Sequence, residues 1–307
     1  MAVQSFRFLT STISRFVQAP TAGALSEILA NMPPKARPAS TSTSAPDHHK
    51  HAHKPPQKAK AASVRPTHFL SLPIGHHPEL RKRIKALHDQ ILPPGTTPCA
   101  IEGIDKTVLV DPRRLHFTLG VMALSTNPEQ TSASADTPHR KTLAEAIALL
   151  HSLAPEVQQI TNGQPLSIPL DTMSVLKTKR EQAGVLYVGP GDVNIPETAK
   201  VLQILKLVSQ RFSDEGFITE ATRPPVLHCT LINASHRKPR RDPKTFSYRE
   251  IFDIAAQPRP EAADNDKPKH IPVDFGSWLA SEIQLCVMGS HGPENEYVSC
   301  GALPLGA

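Results

Sequence analysis

The sequence predicts an α+β fold with two similar lobes. Apolar alternation and turn residues predict strands that alternate irregularly with helices, in the manner of α+β domains. A coarse repeat is the second observation, because each half of the chain contains a helix followed by a predicted strand with the string Leu-His-x-Thr-Leu. The two strings are RRLHFTLGV around residue 116 and PVLHCTLIN around residue 228.

The first predicted strand is THFLSLPI at 67–74, an apolar and β-prone run that ends at Pro73. A helix follows over 77–92, because a proline suits its first turn and apolar residues recur at helical spacing. Two further strands are predicted, DKTVLV at 105–110 and RRLHFTLGVMAL at 113–124. The predicted order of elements in the first lobe is therefore strand, helix, strand, strand.

The second half begins with a helix over 137–154 and two apolar strands at 165–176 and 184–190. A long amphipathic helix over 195–216 ends at Gly216, a residue suited to terminate a helix. The remaining predicted elements are a strand at 226–233, a helix at 247–257, a flexible insertion at 256–272 and two strands at 280–289 and 295–305, joined by a turn at 289–292.

The charge is distributed unevenly along the 307 residues. The first 66 residues contain nine Lys and Arg but only two acidic residues, whereas the remainder contains 25 basic and 26 acidic residues. The body of the chain is thus close to neutral, which excludes a domain that coats nucleic acid through overall basic charge. Four cysteines without a C-x-x-C pair fit neither a zinc site nor a disulfide-dense module.

Residues 1–63 predict a disordered, basic leader rich in Pro, Ser and His, and residues 64–307 predict the folded domain. Residues 1–26 contain arginines and many hydroxyls but no acidic residue, which is typical of a mitochondrial targeting segment and also of an ordinary leader. No apolar run approaches 18 residues, so no membrane-spanning helix is expected.

Strand alternation gives both strings a chemical meaning. Side chains of a strand point to opposite faces in turn, so His116 and Thr118 share one face, and so do His228 and Thr230. The leucines and the middle residue of each string, one of them Cys229, then point to the core. Each string thus presents an imidazole beside a hydroxyl, and Arg114 lies on the same face as His116.

Two such pairs that converge on one cleft could hydrolyse a phosphodiester without a metal. One neutral imidazole would accept a proton from the attacking water, and the other imidazole, protonated, would donate one to the leaving oxygen. The threonine hydroxyls would donate hydrogen bonds to the phosphate oxygens as negative charge develops. We therefore expect His116 and His228 to be catalytic, Thr118 and Thr230 to bind phosphate, and no metal or cofactor to be needed.

The doubled His-x-Thr pattern resembles the 2H phosphoesterase superfamily. Within it, RPTHFLSLPI, LVDPRRLHFTLGVMAL, VLHCTLINAS and YVSCGALPL resemble, in order, the phosphoesterase domain that the A-kinase-anchor-seven group shares with subunit one of the activating signal cointegrator complex. The likeness covers roughly residues 64–307. It implies a two-lobed, LigT-like fold, with antiparallel sheets around a central groove and helices outside.

The resemblance also implies substrates and partners. Substrates of the superfamily are RNA ends, 2′,3′-cyclic nucleotides and 2′,5′-linked oligonucleotides, acted on here by a monomeric domain. The alternative is a non-enzymatic RNA-binding subunit of a coactivator or repair complex, with coactivator or helicase subunits as partners. The nucleus is then the expected compartment, with mitochondrion or cytoplasm as alternatives. One difference from the cointegrator subunit weakens this alternative. That subunit usually carries a KH domain before the phosphoesterase domain, and residues 1–66 are too short for one.

A basic string, HRKPRRDPK at 236–244, follows the second motif directly. It could lie at the rim of the cleft and attract polyanionic RNA, or it could signal nuclear import. A solvated surface loop with two prolines explains the same residues without any function, so the sequence leaves these interpretations open.

Overall fold

The computed structural model describes residues 65–96, 98–125, 141–218, 226–240, 242–256 and 268–306. The predicted leader lies outside these residues, as does the start of the helix predicted over 137–154. Within the described ranges the helices are α1 (Pro78–Ile91), α2 (Leu143–Ser152), α3 (Ala154–Thr161), α4 (Pro196–Asp214) and α5 (Arg249–Ala255).

The described strands fall into one large sheet and two small ones. They are β1 (His68–Pro73), β2 (His116–Met122), β3 (Leu166–Pro169), β4 (Thr172–Leu176), β5 (Gln182–Ala183), β6 (Val185–Gly189), β7 (Cys229–Asn233), β8 (Phe246–Ser247), β9 (His270–Pro272), β10 (Ser277–Ala280), β11 (Glu282–Val287) and β12 (Ser299–Pro304). The α+β class predicted from the sequence is confirmed.

The large sheet has eight strands in the order β12-β11-β1-β2-β7-β6-β4-β9, and its hydrogen-bonded pairs are antiparallel. Its two halves meet where β2 pairs with β7. Each half carries one His-x-Thr string, but the half with β1 and β2 also contains β11 and β12 from the end of the chain, so the halves of the sheet are not the consecutive lobes that the sequence predicted. Only one residue pair, Phe117 with Cys229, joins these two strands. The small sheets pair β10 with β3 and β5 with β8.

One face of the large sheet carries the hydrophobic core. Alternate residues of β2 and β7 point into it, and Phe117, Cys229 and Leu231 are completely buried. Helix α4 packs against β2 and β3, and α2 packs against β12. Burial of these apolar side chains supplies most of the driving force for folding. The opposite face of β2 and β7 is open, and it carries the histidines.

Helix α2 shows why the sequence folds locally as it does. The Thr142 hydroxyl accepts the backbone N–H of Glu145, and the Glu145 carboxylate accepts the backbone N–H of Thr142. This capping box satisfies two donors that a helix start leaves without a partner. The helix predicted over 137–154 ends at Ser152, and α3, which the sequence analysis missed, begins at Ala154.

Two strand predictions are wrong in a physically informative way. Of the strand predicted over 105–110, residues 106–108 form a turn, in which the Asp105 carboxylate accepts the backbone N–H of Thr107, and such local bonds compete with a strand ladder. The end of the segment pairs with β7, through an isolated bridge between Leu109 and Ile232. The single strand predicted over 165–176 is divided into β3 and β4, which belong to different sheets. At the break, Asp171 accepts the backbone N–H of Gly191.

Other boundaries also differ from the sequence prediction. A 3-10 turn, Pro112–Arg114, precedes β2, so that strand begins at His116. The end of the predicted insertion at 256–272 forms β9 at the edge of the large sheet, and its residues 257–267 lie outside the described part. The last strand begins at Ser299, later than the predicted start at residue 295.

Candidate active site

His116 is the first residue of β2, and the preceding turn fixes its imidazole. Its Nδ1 lies 2.7 Å from the backbone carbonyl oxygen of Arg114, two residues earlier. Because a carbonyl can only accept a hydrogen bond, Nδ1 carries a proton, and the neutral ring has an unprotonated Nε2. The Thr118 hydroxyl, 3.1 Å away, donates to this Nε2.

His228 repeats this local arrangement immediately before β7. Its Nδ1 lies 2.7 Å from the backbone carbonyl oxygen of Val226, again two residues earlier. Nδ1 is therefore the donor here too, and Nε2 is the nitrogen available for proton transfer. The two strings share a sequence and also the hydrogen bond that orients their histidines.

Strand pairing brings the two strings together. Since β2 and β7 are antiparallel and Phe117 lies opposite Cys229, His116 lies opposite Thr230, and Thr118 opposite His228. All four side chains are half-buried and lie on the open face, so the histidines are diagonal neighbours. The convergence expected from the sequence thus arises from direct contact between two strands at the centre of one sheet.

Burial lowers the pKa of His116 to about 4, against an ordinary value of 6.5. Desolvation of the imidazolium is the main cause, and the nearby His228 and Arg114 add repulsion against a second positive charge. The hydrogen bond to the Arg114 carbonyl acts in the opposite direction without cancelling these effects. His116 is therefore neutral at pH 7, so its Nε2 lone pair is unprotonated there.

Tyr297 covers the His116 side of the site, from the loop between β11 and β12. Its ring meets His116 edge to face at 5.2 Å and Phe69 at 4.8 Å. The Arg114 guanidinium stacks on Tyr297 at 3.7 Å and donates to the backbone carbonyls of Ser290 and Asn295. Tyr297 was not predicted as a site residue from the sequence, although tyrosine is scarce, with three in the chain.

A close backbone approach holds Arg114 and His116 in place. The backbone N–H of Gly75 donates to the Leu115 carbonyl, and a Cβ atom at residue 75 would lie 2.3 Å from the carbonyl oxygen of Arg113. Only glycine leaves room for this approach. The loop after β1 therefore fixes the turn from which both Arg114 and His116 project.

Two cavities lie near the histidines. One, of about 430 Å³, lies on the His116 side and is lined by residues that include Ser71, Gln284 and Tyr297. The other, of about 460 Å³, lies on the β4 and β6 side and is lined by residues that include Tyr187 and Leu227. The Tyr187 ring meets His228 at 5.8 Å, so the second cavity adjoins the second histidine.

Cys229 lies between His228 and Thr230 in sequence, yet it is completely buried in the core. Burial raises the pKa of its thiol to about 12. A thiol must lose its proton to act as a nucleophile, and this one keeps its proton at neutral pH. The orientation toward the core that was predicted for Cys229 is confirmed.

The basic string after β7 has two parts. Arg237 is 5% exposed, forms an ion pair with Asp105 and donates to two backbone carbonyls, so it anchors the loop. Arg241 lies outside the described residues. The other cations of the string, all exposed, are Lys238, Arg240 and Lys244. Two of these three line a cavity of about 660 Å³ that Lys177 also lines.

The sequence matches the model of a known protein family. The sequence model of the family described as "AKAP7 2'5' RNA ligase-like domain" matches residues 66–305. The chain belongs to this family. The resemblance to the domain of the A-kinase-anchor-seven group is thereby confirmed.

An individual relative matches part of the chain at low identity. Activating signal cointegrator 1 complex subunit 1 of mouse (Mus musculus) is 24% identical over 175 residues, which is 56% of this chain and 43% of that protein. The chain thus spans less than half the length of this relative.

In the part of the chain that the structure describes, no helix is both long and apolar enough to cross a membrane.

Solved structures of E. coli LigT also match. LigT complexed with NADP+ is 16% identical, with a TM-score of 0.44, over 80% of this chain and 100% of that chain. LigT complexed with 3'-AMP is 14% identical, with a TM-score of 0.41, over 78% of this chain and 97% of that chain.

Proposed function

We propose that this chain is a phosphodiesterase that acts on RNA-related substrates by His/His acid–base catalysis. The observation that carries the proposal is the diagonal placement of His116, at the start of β2, and His228, just before β7, each with its Nδ1 bonded to a backbone carbonyl and its Nε2 left for proton transfer. Family membership supports the same reaction class. RNA ends and 2′,3′-cyclic or 2′,5′-linked nucleotides are the substrates to test.

His116 acts as the general base in this mechanism. Its Nε2 is unprotonated at pH 7, since burial lowers the pKa to about 4, and it accepts a proton from the water that attacks phosphorus. In the structure the Thr118 hydroxyl donates to that Nε2, so this hydroxyl must turn toward a phosphate oxygen to free the nitrogen. Thr118 then stabilises charge on the phosphate while His116 takes the proton.

His228 acts as the general acid. As the bond from phosphorus to the leaving oxygen breaks, its Nε2–H donates a proton to that oxygen, and Thr230 donates a hydrogen bond to a non-bridging oxygen. One proton is gained at His116 and one is lost at His228, so exchange with solvent restores both residues. Each proton transfer contributes about 10² to 10⁴ in rate.

The decisive experiment is an activity panel on purified protein in EDTA, with 2′,3′-cyclic nucleotides, 2′,5′-linked oligonucleotides and defined RNA ends. We expect His116→Ala and His228→Ala each to lower kcat/KM by about 10² to 10⁴. His151→Ala is a matched control, because that histidine is exposed on α2, where its Nε2 bonds to the backbone carbonyl of Ala302. No turnover by the wild type, or equal turnover by all variants, would contradict the proposal.

Coactivator or helicase subunits as partners, and a nuclear compartment, remain predictions. The likeness to a subunit of a mouse cointegrator complex motivates them, although it covers only part of both chains. Affinity purification tests them, since recovery of the protein as a lone monomer from nuclear extract would contradict membership of a complex.

A further inference from the structure

A row of aromatic rings leads away from the His116 side of the site. His76, in the loop between β1 and α1, lines the cavity of about 430 Å³ that His116 also lines. The His76 and His77 ring centroids are 3.9 Å apart, and those of His77 and Trp278, on β10, are 5.2 Å apart. We call His76, His77 and Trp278 the aromatic ladder. It begins in the wall of the catalytic cavity and ends at a residue beyond that wall.

The ring nitrogens at the outer end of the ladder are engaged by backbone, and the rings are accessible. His77 Nε2 donates to the backbone carbonyl of Leu279, and Trp278 Nε1–H donates to that of Phe275. His76 is exposed, and His77 and Trp278 are half-buried. The outer rings therefore offer their π surfaces to a ligand more than their polar atoms.

Packing accounts for only part of the ladder. Trp278 packs against the hydrophobic core, and the bond from His77 joins β10 to the start of α1. The exposed His76 side chain contributes to neither contact. Leu279, next to Trp278, is 50% exposed, so the outer end of the ladder is an apolar surface open to solvent. Such a surface beside a polar cavity indicates a binding site.

Helix α1 supplies positive charge beside the ladder. The guanidinium of Arg83 lies over the Trp278 ring, 5.9 Å from its centroid. The first two turns of α1 contain Arg81, Lys82 and Arg83 against one acidic residue, Glu79. Aromatic rings beside cations are typical of proteins that bind single-stranded nucleic acid, in which the bases stack and the phosphates meet positive charge.

The cavity itself contains charges of both signs. Arg113 and Arg114 line it together with three glutamates, and Arg113 pairs with one of these, Glu294. Electrostatic attraction for an anionic strand is therefore greater where the ladder leaves the cavity and passes α1.

The position of the ladder relates it to the reaction. In the proposed mechanism His228 protonates the leaving oxygen, so the nucleoside that leaves lies toward His228. The strand that keeps the phosphate can then extend on the His116 side, through the cavity and past His76. A mononucleotide held in the cavity does not reach Trp278.

We propose that the aromatic ladder binds the strand of a single-stranded RNA substrate that keeps the phosphate, which rests on the proposed phosphodiesterase function. Bases of that strand stack on His76 and Trp278, and Arg83 meets a backbone phosphate. The preferred substrate is therefore an oligonucleotide and not a free mononucleotide. Stacking tolerates any base, so the ladder makes the enzyme select for length and not for sequence.

Trp278 is the one tryptophan of the chain, so its fluorescence reports on the ladder directly. The full-length chain with His116→Ala, which slows cleavage of the ligand, is titrated with diuridylate and with octauridylate. We expect the octanucleotide to quench the emission and to bind at least about tenfold more tightly than the dinucleotide.

Variants in the same background are compared by the fluorescence anisotropy of a labelled octauridylate. Trp278→Ala and His76→Ala should each weaken binding about 5- to 150-fold, the effect of one lost base stack, whereas Trp278→Phe should retain most of the affinity. His76→Ala, at an exposed loop position, keeps the test valid if Trp278→Ala fails to fold. His151→Ala, exposed on α2, is the matched control.

Salt dependence tests the phosphate contact. Arg83→Gln should lower the slope of log K against log salt concentration by about 0.7, the share of one phosphate contact on a single strand. Lys85→Gln is the control, because that exposed lysine pairs with Asp89 on the same helix. Equal slopes for Arg83→Gln and the parent chain would overturn the contact with Arg83.

Two binding results would overturn the ladder: Trp278 emission that octauridylate leaves unchanged, and parent affinity in both His76→Ala and Trp278→Ala. Turnover by chains that retain His116 separates this failure from that of the proposed function. Equal kcat/KM on the two lengths, in the wild type and in Trp278→Ala, would overturn the ladder and leave the phosphodiesterase standing. Quenching by octauridylate without turnover of any substrate would support the ladder and contradict the phosphodiesterase.

Discussion

The pH dependence of kcat/KM tests the role of His116 most directly. Burial lowers its pKa from 6.5 to about 4. Each pKa unit is worth about 1.4 kcal/mol, so the folded site disfavours the imidazolium by roughly 3 kcal/mol. A general base must be neutral, and we therefore expect kcat/KM to be retained from pH 7 down to about 5 and to fall as the pH approaches 4.

The same pKa shift affects stability, and its sign is fixed. Between pH 6.5 and about 4 the unfolded chain binds a proton at His116 that the folded chain does not, so the free energy of unfolding falls as the pH falls. Buried His88, whose pKa burial also lowers to about 4, adds to this loss. Circular dichroism at each pH therefore has to accompany the assay, to separate loss of the base from unfolding.

The assay is an initial-rate measurement of 2′,3′-cyclic nucleotide hydrolysis at substrate concentrations well below KM. Arg114→Met should move the acid limb upward, toward 6.5, because a positive charge near His116 is lost and the contact with Tyr297 is weakened. A wild-type acid limb near 6.5, with circular dichroism unchanged over the same range, would refute the assignment of His116 as the base.

Three further outcomes follow from the structure. His228→Gln should lower kcat/KM on nucleotides by about 10² to 10⁴. On bis(p-nitrophenyl) phosphate, whose leaving group needs no proton, the loss should be about tenfold or less. Equal losses on both substrates would contradict the role of His228 as the acid. Arg237→Met should lower the free energy of unfolding in urea by about 1 to 3 kcal/mol, because it removes a buried guanidinium that bonds to Asp105 and to two backbone carbonyls, whereas exposed Arg240→Met should change it by less than about 0.5 kcal/mol. Cys229→Ala should cost about 1 kcal/mol of stability while kcat/KM stays within about twofold, and a larger fall in rate at full folding would point to a catalytic thiol.

Much of the site was predictable because strand alternation is a property of consecutive residues. The pattern Leu-His-x-Thr-Leu places His116 and Thr118 on one face and Phe117 on the other, whichever strand lies beside it. The same holds for the second string and for the buried Cys229. Helix α4 and strand β1 were predicted for the same reason. The apolar periodicity of the helix and the apolar run of the strand are each complete within one segment.

Local predictions failed where a polar side chain bonded to nearby backbone. Asp105 turns the chain at an apolar stretch that the hydrophobic pattern alone assigns to a strand. Asp171 marks the break between β3 and β4 in a similar way, by accepting a backbone N–H from a distant loop. Apolar periodicity does not report these bonds, because it records which side chains avoid water and not which backbone donors need acceptors.

The sequence by itself determined the chemistry of each half-site, namely a histidine and a threonine on a strand with an apolar reverse side. Only the tertiary structure decided that the two strands are neighbours, that Tyr297 and Arg114 cover His116, and that Arg237 is an anchor instead of an RNA contact. The physical reason is that pairing between segments far apart in the chain depends on the packing of the whole core. The lowered pKa of His116 is a consequence of that packing, since desolvation by the assembled fold produces it.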